Sequence, residues 1–263
     1  MTAMATANPQ RRASDNPAER RDSADMQLYA MPPGESLQRL RSDFVALDKM
    51  LGTMETGSFT GYLRVHAAEI NGVVLLLRGA VVETLFDMAP VVVTGQRALG
   101  LVAAAVAEGG GEVDIVALSE EVVVGIYQLL TAPSLYENLF ARFVDVPALL
   151  DHLGDSGLSG SLIVTNGQDQ GVVLVRDGEV MSAYTAHSPN PEDAPEMLRR
   201  LCEDPATAIE VRTGPIPGDL APLQLSAALA LGGGGDLRSE VAAIAAAEGA
   251  RPIPRRLGDS STE

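Results

Sequence analysis

The chain has 263 residues, 46% apolar but only 4% aromatic and without Trp, and its 35 acidic and 19 basic residues give a net charge of −16. That length suits one large domain or two of roughly 100–150 residues, with a core of Ala, Val and Leu. So acidic a surface repels nucleic-acid phosphate and anionic lipid, and no run reaches the ~20 apolar residues that span a bilayer, so neither nucleic acid nor membrane is expected as a partner.

Residues 1–33 are rich in Ala, Arg, Asp, Asn and Pro, lack hydrophobic periodicity and read as a disordered leader. They hold no signal-peptide apolar run. Together with the single cysteine, Cys202, this predicts a cytoplasmic protein.

The first unit, 34–133, is expected to open with a helix, because Leu37, Leu40, Phe44, Leu47, Leu51 and Met54 recur at three- and four-residue steps. "FTGYLRV" then reads as a strand with Leu63 and Val65 on one face. "GVVLLLRGAVVET" from Gly72 reads as a hairpin turning at Arg78–Gly79. "GQRALGLVAAAVAEGGG" is a helix stopped by its glycines, "EVDIVAL" a closing strand and "SEEVVVGIYQLL" a further helix. Within that helix, Val122–Val124 suit either a core between units or a patch that forms a homodimer.

The second unit, 134–231, repeats the frame. Shifting the chain by 99 residues aligns 44–86 with 143–185 without a gap, so Phe44 meets Phe143 and Leu51 meets Leu150. Six glycines fall in register as structural positions: Gly61, Gly72 and Gly79 on Gly160, Gly171 and Gly178. Leu139, Phe143, Val146, Leu150 and Leu153 continue the helical spacing, with a new helix expected at Asp145 and Pro147. "GVVLVRDGEVMSA" forms the second hairpin, "PEDAPEMLRRLCED" a helix, "AIEVRT" a strand and "GDLAPLQLSAALAL" a last helical segment. Residues 232–263 read as a glycine hinge, a short helix capped by Asp236 and a tail. The expected fold is α+β: two tandem units, each a small, mostly antiparallel sheet with helices packed on it.

Residues with catalytic potential do not converge. His66, His152 and His187 show no metal-ligand spacing, and Cys202 has no partner for a zinc site. Lys49 belongs to no phosphate-binding loop, and "GDSGLSGS" spaces its glycines wrongly for a nucleophile elbow, whatever Asp155, Ser156 and Asp169 lie near it. Glu120–Glu121, Glu192–Asp193 and Glu203–Asp204 read as helix-end charges and solvated faces, with an acidic docking surface as the alternative. No cofactor and no catalytic residue is expected. A nucleotide or metabolite bound between the units is the competing reading, although Arg199–Arg200 is the only adjacent basic pair in the body.

The order "ALLDHLGDSGLSGSLIV" then "GVVLVRDGEVMSA", with "FTGYLRV", "GVVLLLRGAVVET" and "TGQRALGLV" in the first unit, resembles the PATAN family of bacterial domains across about residues 40–215. Arg78 departs from the Asp usual before the hairpin glycine, which weakens the signature there. The resemblance implies an α+β fold and an adaptor role in signalling. It also implies a protein partner such as a small Ras-like GTPase, a roadblock-type protein or a receiver domain. It carries no catalytic residue with it.

Overall fold

The computed structural model describes residues 31–32, 35–67, 69–89, 91–167, 169–185, 192–214, 222–231 and 236–248. Among these, eleven strands and seven α-helices form an α+β protein with two antiparallel sheets.

Each unit opens on a strand, which corrects the expected helix. β1 (Glu35–Arg41) passes through a 3-10 turn (Ser42–Phe44) before α1 (Leu47–Thr56) begins. Leu47, Leu51 and Met54 form the buried face of α1, whereas Leu37 and Leu40 lie on the strand and Phe44 on the turn. The second unit does the same with β7 (Ser134–Phe140), a turn (Ala141–Phe143) and α4 (Val146–Asp155), so Leu139 and Phe143 also leave the helix. Tertiary pairing overrides the local spacing. β1 is hydrogen-bonded along β6 (Glu112–Ala117), and Ser42 is locked to Gly111 by Ser42 N to Gly111 O at 2.9 Å and Gly111 N to Ser42 Oγ at 2.8 Å. α4 does start where its capping residues place it: Asp145 accepts from Ala148 N at 3.2 Å, with Pro147 in the first turn.

In the first unit β2 (Gly61–Ala67), β3 (Ile70–Leu77), β4 (Ala80–Met88) and β5 (Val91–Thr94) precede α2 (Gly95–Glu108), β6 and α3 (Glu120–Thr131). In the second, β8 (Gly160–Asn166), β9 (Asp169–Arg176) and β10 (Glu179–Thr185) precede α5 (Ala194–Leu201) and β11 (Ala208–Thr213). The sheets run β1-β6-β2-β3-β4-β5 and β7-β11-β8-β9-β10. The order is the same, with β5 an added edge strand that the sequence reading missed. The bulge repeats too: Leu76 pairs with Val81 and Leu75 with Glu83, as Val175 pairs with Val180 and Leu174 with Ser182.

α1 and α2 cover the outer face of the first sheet, and α4 and α5 that of the second. α3 lies between the inner faces. Val123 and Ile126 pack with Tyr62, Val73, Leu75 and Leu85 of the first sheet, and Leu129 packs with Ile163, Val172, Leu174 and Tyr184 of the second. Gly125 permits this contact, since a Cβ there would meet Leu174 Cδ1 at 2.6 Å. Val122 joins both clusters, so the valine segment is core between the units.

The chain's last helices return to the first unit. α6 (Leu225–Leu231) and α7 (Leu237–Glu248) place Ala228, Leu237, Val241 and Ile244 in the core under α2. The glycine hinge at 232–235 and the terminal tail beyond 248 lie outside the described residues, as does the leader up to residue 30. Met31 and Pro32, assigned to that leader, are buried, and Tyr62 Oη donates to Pro32 O at 3.2 Å.

Candidate interaction surface

The six repeat glycines sit in three equivalent tight contacts. A Cβ at Gly61 would stand 2.1 Å from Val116 O, and one at Gly160 2.0 Å from Arg212 O. Gly72 faces Val102 and Gly171 faces Leu201, each on the helix over its sheet. At the hairpin tips, Gly79 would strike Glu55 Cα at 2.6 Å and Gly178 would strike Gly154 O at 2.4 Å. Gly61 and Gly160 let neighbouring strands of one sheet meet closely, whereas the other four let helices approach the sheet.

Both hairpins make the same turn. Arg78 and Gly79 have φ of 51° and 84°, and Asp177 and Gly178 have 51° and 83°. A hydroxyl stabilises each: Arg78 N donates to Thr60 Oγ1 at 3.0 Å and Asp177 N to Ser159 Oγ at 2.9 Å. Arg78 therefore keeps the turn and gains a second contact, its Nε donating to Glu120 Oε1 at 2.8 Å at the start of α3. That guanidinium holds the Glu120 carboxyl below its usual range. At the other end of α3, Arg212 Nη1 donates to Leu129 O at 3.0 Å and Gln128 Nε2 to Gly214 O at 3.2 Å. The helix is tied to one unit at each end.

The remaining polar candidates are accounted for locally. Glu192 pairs with Arg200 at 2.7 Å and Glu203 with Arg199 at 3.0 Å. His66 Nδ1 lies 2.8 Å from Asn71 Oδ1, His152 is on α4, and His187 lies outside the described residues. Ser156 closes α4 just after Asp155, while Asp169 opens β9. Lys49 is exposed on α1. Cys202 is half-buried after α5, and burial pushes its thiol up, which keeps it protonated. Among the described residues no three His, Cys, Asp or Glu side chains gather as metal ligands, and no helix is long and apolar enough to cross a membrane. A cavity of about 10 Å³ beside Leu153, Gly160 and Val211 has room for one water.

The surface feature that repeats is apolar. Phe44 is 83% exposed and Phe143, its counterpart 99 residues on, is 76% exposed. Leu37 and its counterpart Tyr136 are also exposed on the edge strands β1 and β7, with Leu135 beside the latter. The flanking charges differ. Asp43 precedes Phe44, accepts from Arg41 at 2.8 Å and from Gly110 N at 3.1 Å, and is held below the usual carboxyl range by the guanidinium first and the backbone amide second. Arg142 precedes Phe143 and stacks over that ring at 4.7 Å and over Phe140 at 5.1 Å. The sequence alignment paired these phenylalanines but assigned them to a helix face; only the 3-10 turn turns them outward. No protein-family model matches the chain, and no curated protein or solved structure does either.

Proposed function

We propose that the protein is a non-enzymatic, cytoplasmic adaptor of bacterial signalling, in which two PATAN-like units hold a protein partner at paired aromatic corners. The observation that carries this reading is the equivalent exposure of Phe44 and Phe143 in both copies. Covering one Phe side chain contributes roughly 1.5–3 kcal/mol, and aromatic anchors concentrate binding energy at interfaces. The first corner carries the Arg41–Asp43 pair and the second Arg142 stacked on its phenylalanines, so two similar shapes differ in charge, which favours one orientation of the partner. The PATAN resemblance points to a Ras-like GTPase, a roadblock-type protein or a receiver domain as that partner.

Photo-crosslinking tests it. A benzoylphenylalanine placed at position 44 or 143 is expected to yield adducts with one and the same protein in cells, while the same group at exposed Glu55 yields none. Adducts with unrelated proteins at the two corners, or equal yield at position 55, contradict the reading. So does a nucleotide that raises Tm without any adduct.

A further inference from the structure

The two units differ in what covers the hairpin's returning strand, and the difference marks a binding edge. In the first unit the chain supplies its own cover: Leu223 N donates to Val81 O at 2.7 Å, and the Leu223 side chain packs against the core that contains Val81. Val81, beneath Leu223, is 7% exposed, and Val82, on the opposite face with Met31 and the α3 side chains, is 4% exposed. Their counterparts Val180 and Met181 stand at the same register beside the same bulge, yet are 47% and 40% exposed. β10 ends its sheet, and no described strand lies beyond it. Glu192 N takes the carbonyl of Ala183 at 2.7 Å, so the open stretch runs from Glu179 to Ser182.

We propose that this open half of β10 takes an extended, leucine-bearing segment of a partner protein by strand addition, at the position where Leu223 N, itself outside any strand, bonds the Val81 carbonyl in the first unit. The covering segment of the first unit also shows what cannot follow that strand. α6 seats against α2 because Gly100 has no side chain, with the Ala228 carbonyl 2.8 Å from where a Cβ would be, and because Gln96 Oε1 accepts from Gln224 N at 3.0 Å. On α5 those positions are Arg199 and Pro195, which leave neither the space nor the acceptor. The occupant is therefore a strand without a following docked helix. Asp177 and Glu179 are exposed beside the open stretch and outweigh the half-buried Arg176, so a second copy meets an edge of its own sign, whereas a segment flanked by Lys or Arg is attracted. This edge is separate from the aromatic corners, and either can fail alone.

The test is fluorescence anisotropy of a labelled peptide, residues 221–226 preceded by two lysines, titrated with the full chain. Saturable binding is expected, weakened at least tenfold by Val180→Asp or Met181→Asp in the protein, and likewise by Leu→Asp at the peptide position matching Leu223. Two protein variants at exposed positions, plus the peptide variant, keep the result readable if one protein variant fails to fold. Absence of saturable binding overturns the proposal. So does binding indifferent to both protein variants, because the peptide then occupies the first unit's edge. A dimer seen by light scattering that Met181→Asp dissolves, with no peptide bound, assigns the edge to a second copy and also overturns it.

Discussion

Glu83 is a buried carboxylate on β4 whose Oε1 accepts from Thr84 N at 2.8 Å and Gly95 N at 2.6 Å. Burial raises its pKa more than those two bonds lower it. The folded state then binds the proton more tightly than the unfolded chain, so this group's contribution to stability is greatest at low pH. It declines as pH rises from the ordinary carboxyl value through the folded one. Glu83→Gln keeps an oxygen acceptor and is expected to remove that slope in urea midpoints measured between pH 4 and pH 7; an unchanged slope contradicts it. Tyr184 presents the opposite case. Its ring is fully buried under α3, and its hydroxyl has no hydrogen-bond partner among the described residues. Tyr184→Phe is expected to be neutral or stabilising by up to about 1 kcal/mol, and a loss of that size in urea denaturation would reveal a partner. At the second hairpin, Gly178→Ala combines φ of 83° with a backbone clash at 2.4 Å and should cost more than ~1 kcal/mol.

At the level of elements, α3 matters most, since its two sides belong to different sheets. Ile126 is fully buried, and Ile126→Ala is expected to cost about 2–5 kcal/mol. Because the helix is shared, hydrogen exchange should accelerate in β8 and β9 as well as in β2 and β3; acceleration confined to the first unit contradicts this. The sequence made several elements legible. The Asp-Gly turn, the Asp145 cap and the repeat glycines rest on local chemistry, and each stands where that chemistry puts it. β1 and β7 were illegible for a physical reason. Leu37, Leu40, Phe44 and Leu47 keep helical spacing by crossing a strand and a turn, and only pairing with the distant β6 decides between the two structures. The outward aromatic corners were missed with them. β5 was missed because "VVVT" offers just four residues beside β4.

At the scale of the molecule, the two units share one strand order, and the departures from it locate the special features. The chain's end closes its beginning: Ala228, Leu237, Val241 and Ile244 sit in the first unit's core. Truncation after Gly214 should therefore loosen β3 and β4 in hydrogen exchange while β8 and β9 keep their protection, and the reverse order would refute that assignment. Nothing in the sequence pattern announces this return, because the apolar faces of α6 and α7 do not say which sheet they meet. The aromatic corners are where the copies stay alike on the surface, and they carry the adaptor reading. Capture of the partner by four purified chains, the parent, Phe44→Ser, Phe143→Ser and the double variant, tests it most directly. The account predicts reduced capture by each single variant and none by the folded double variant, whereas full capture by the double variant would contradict it.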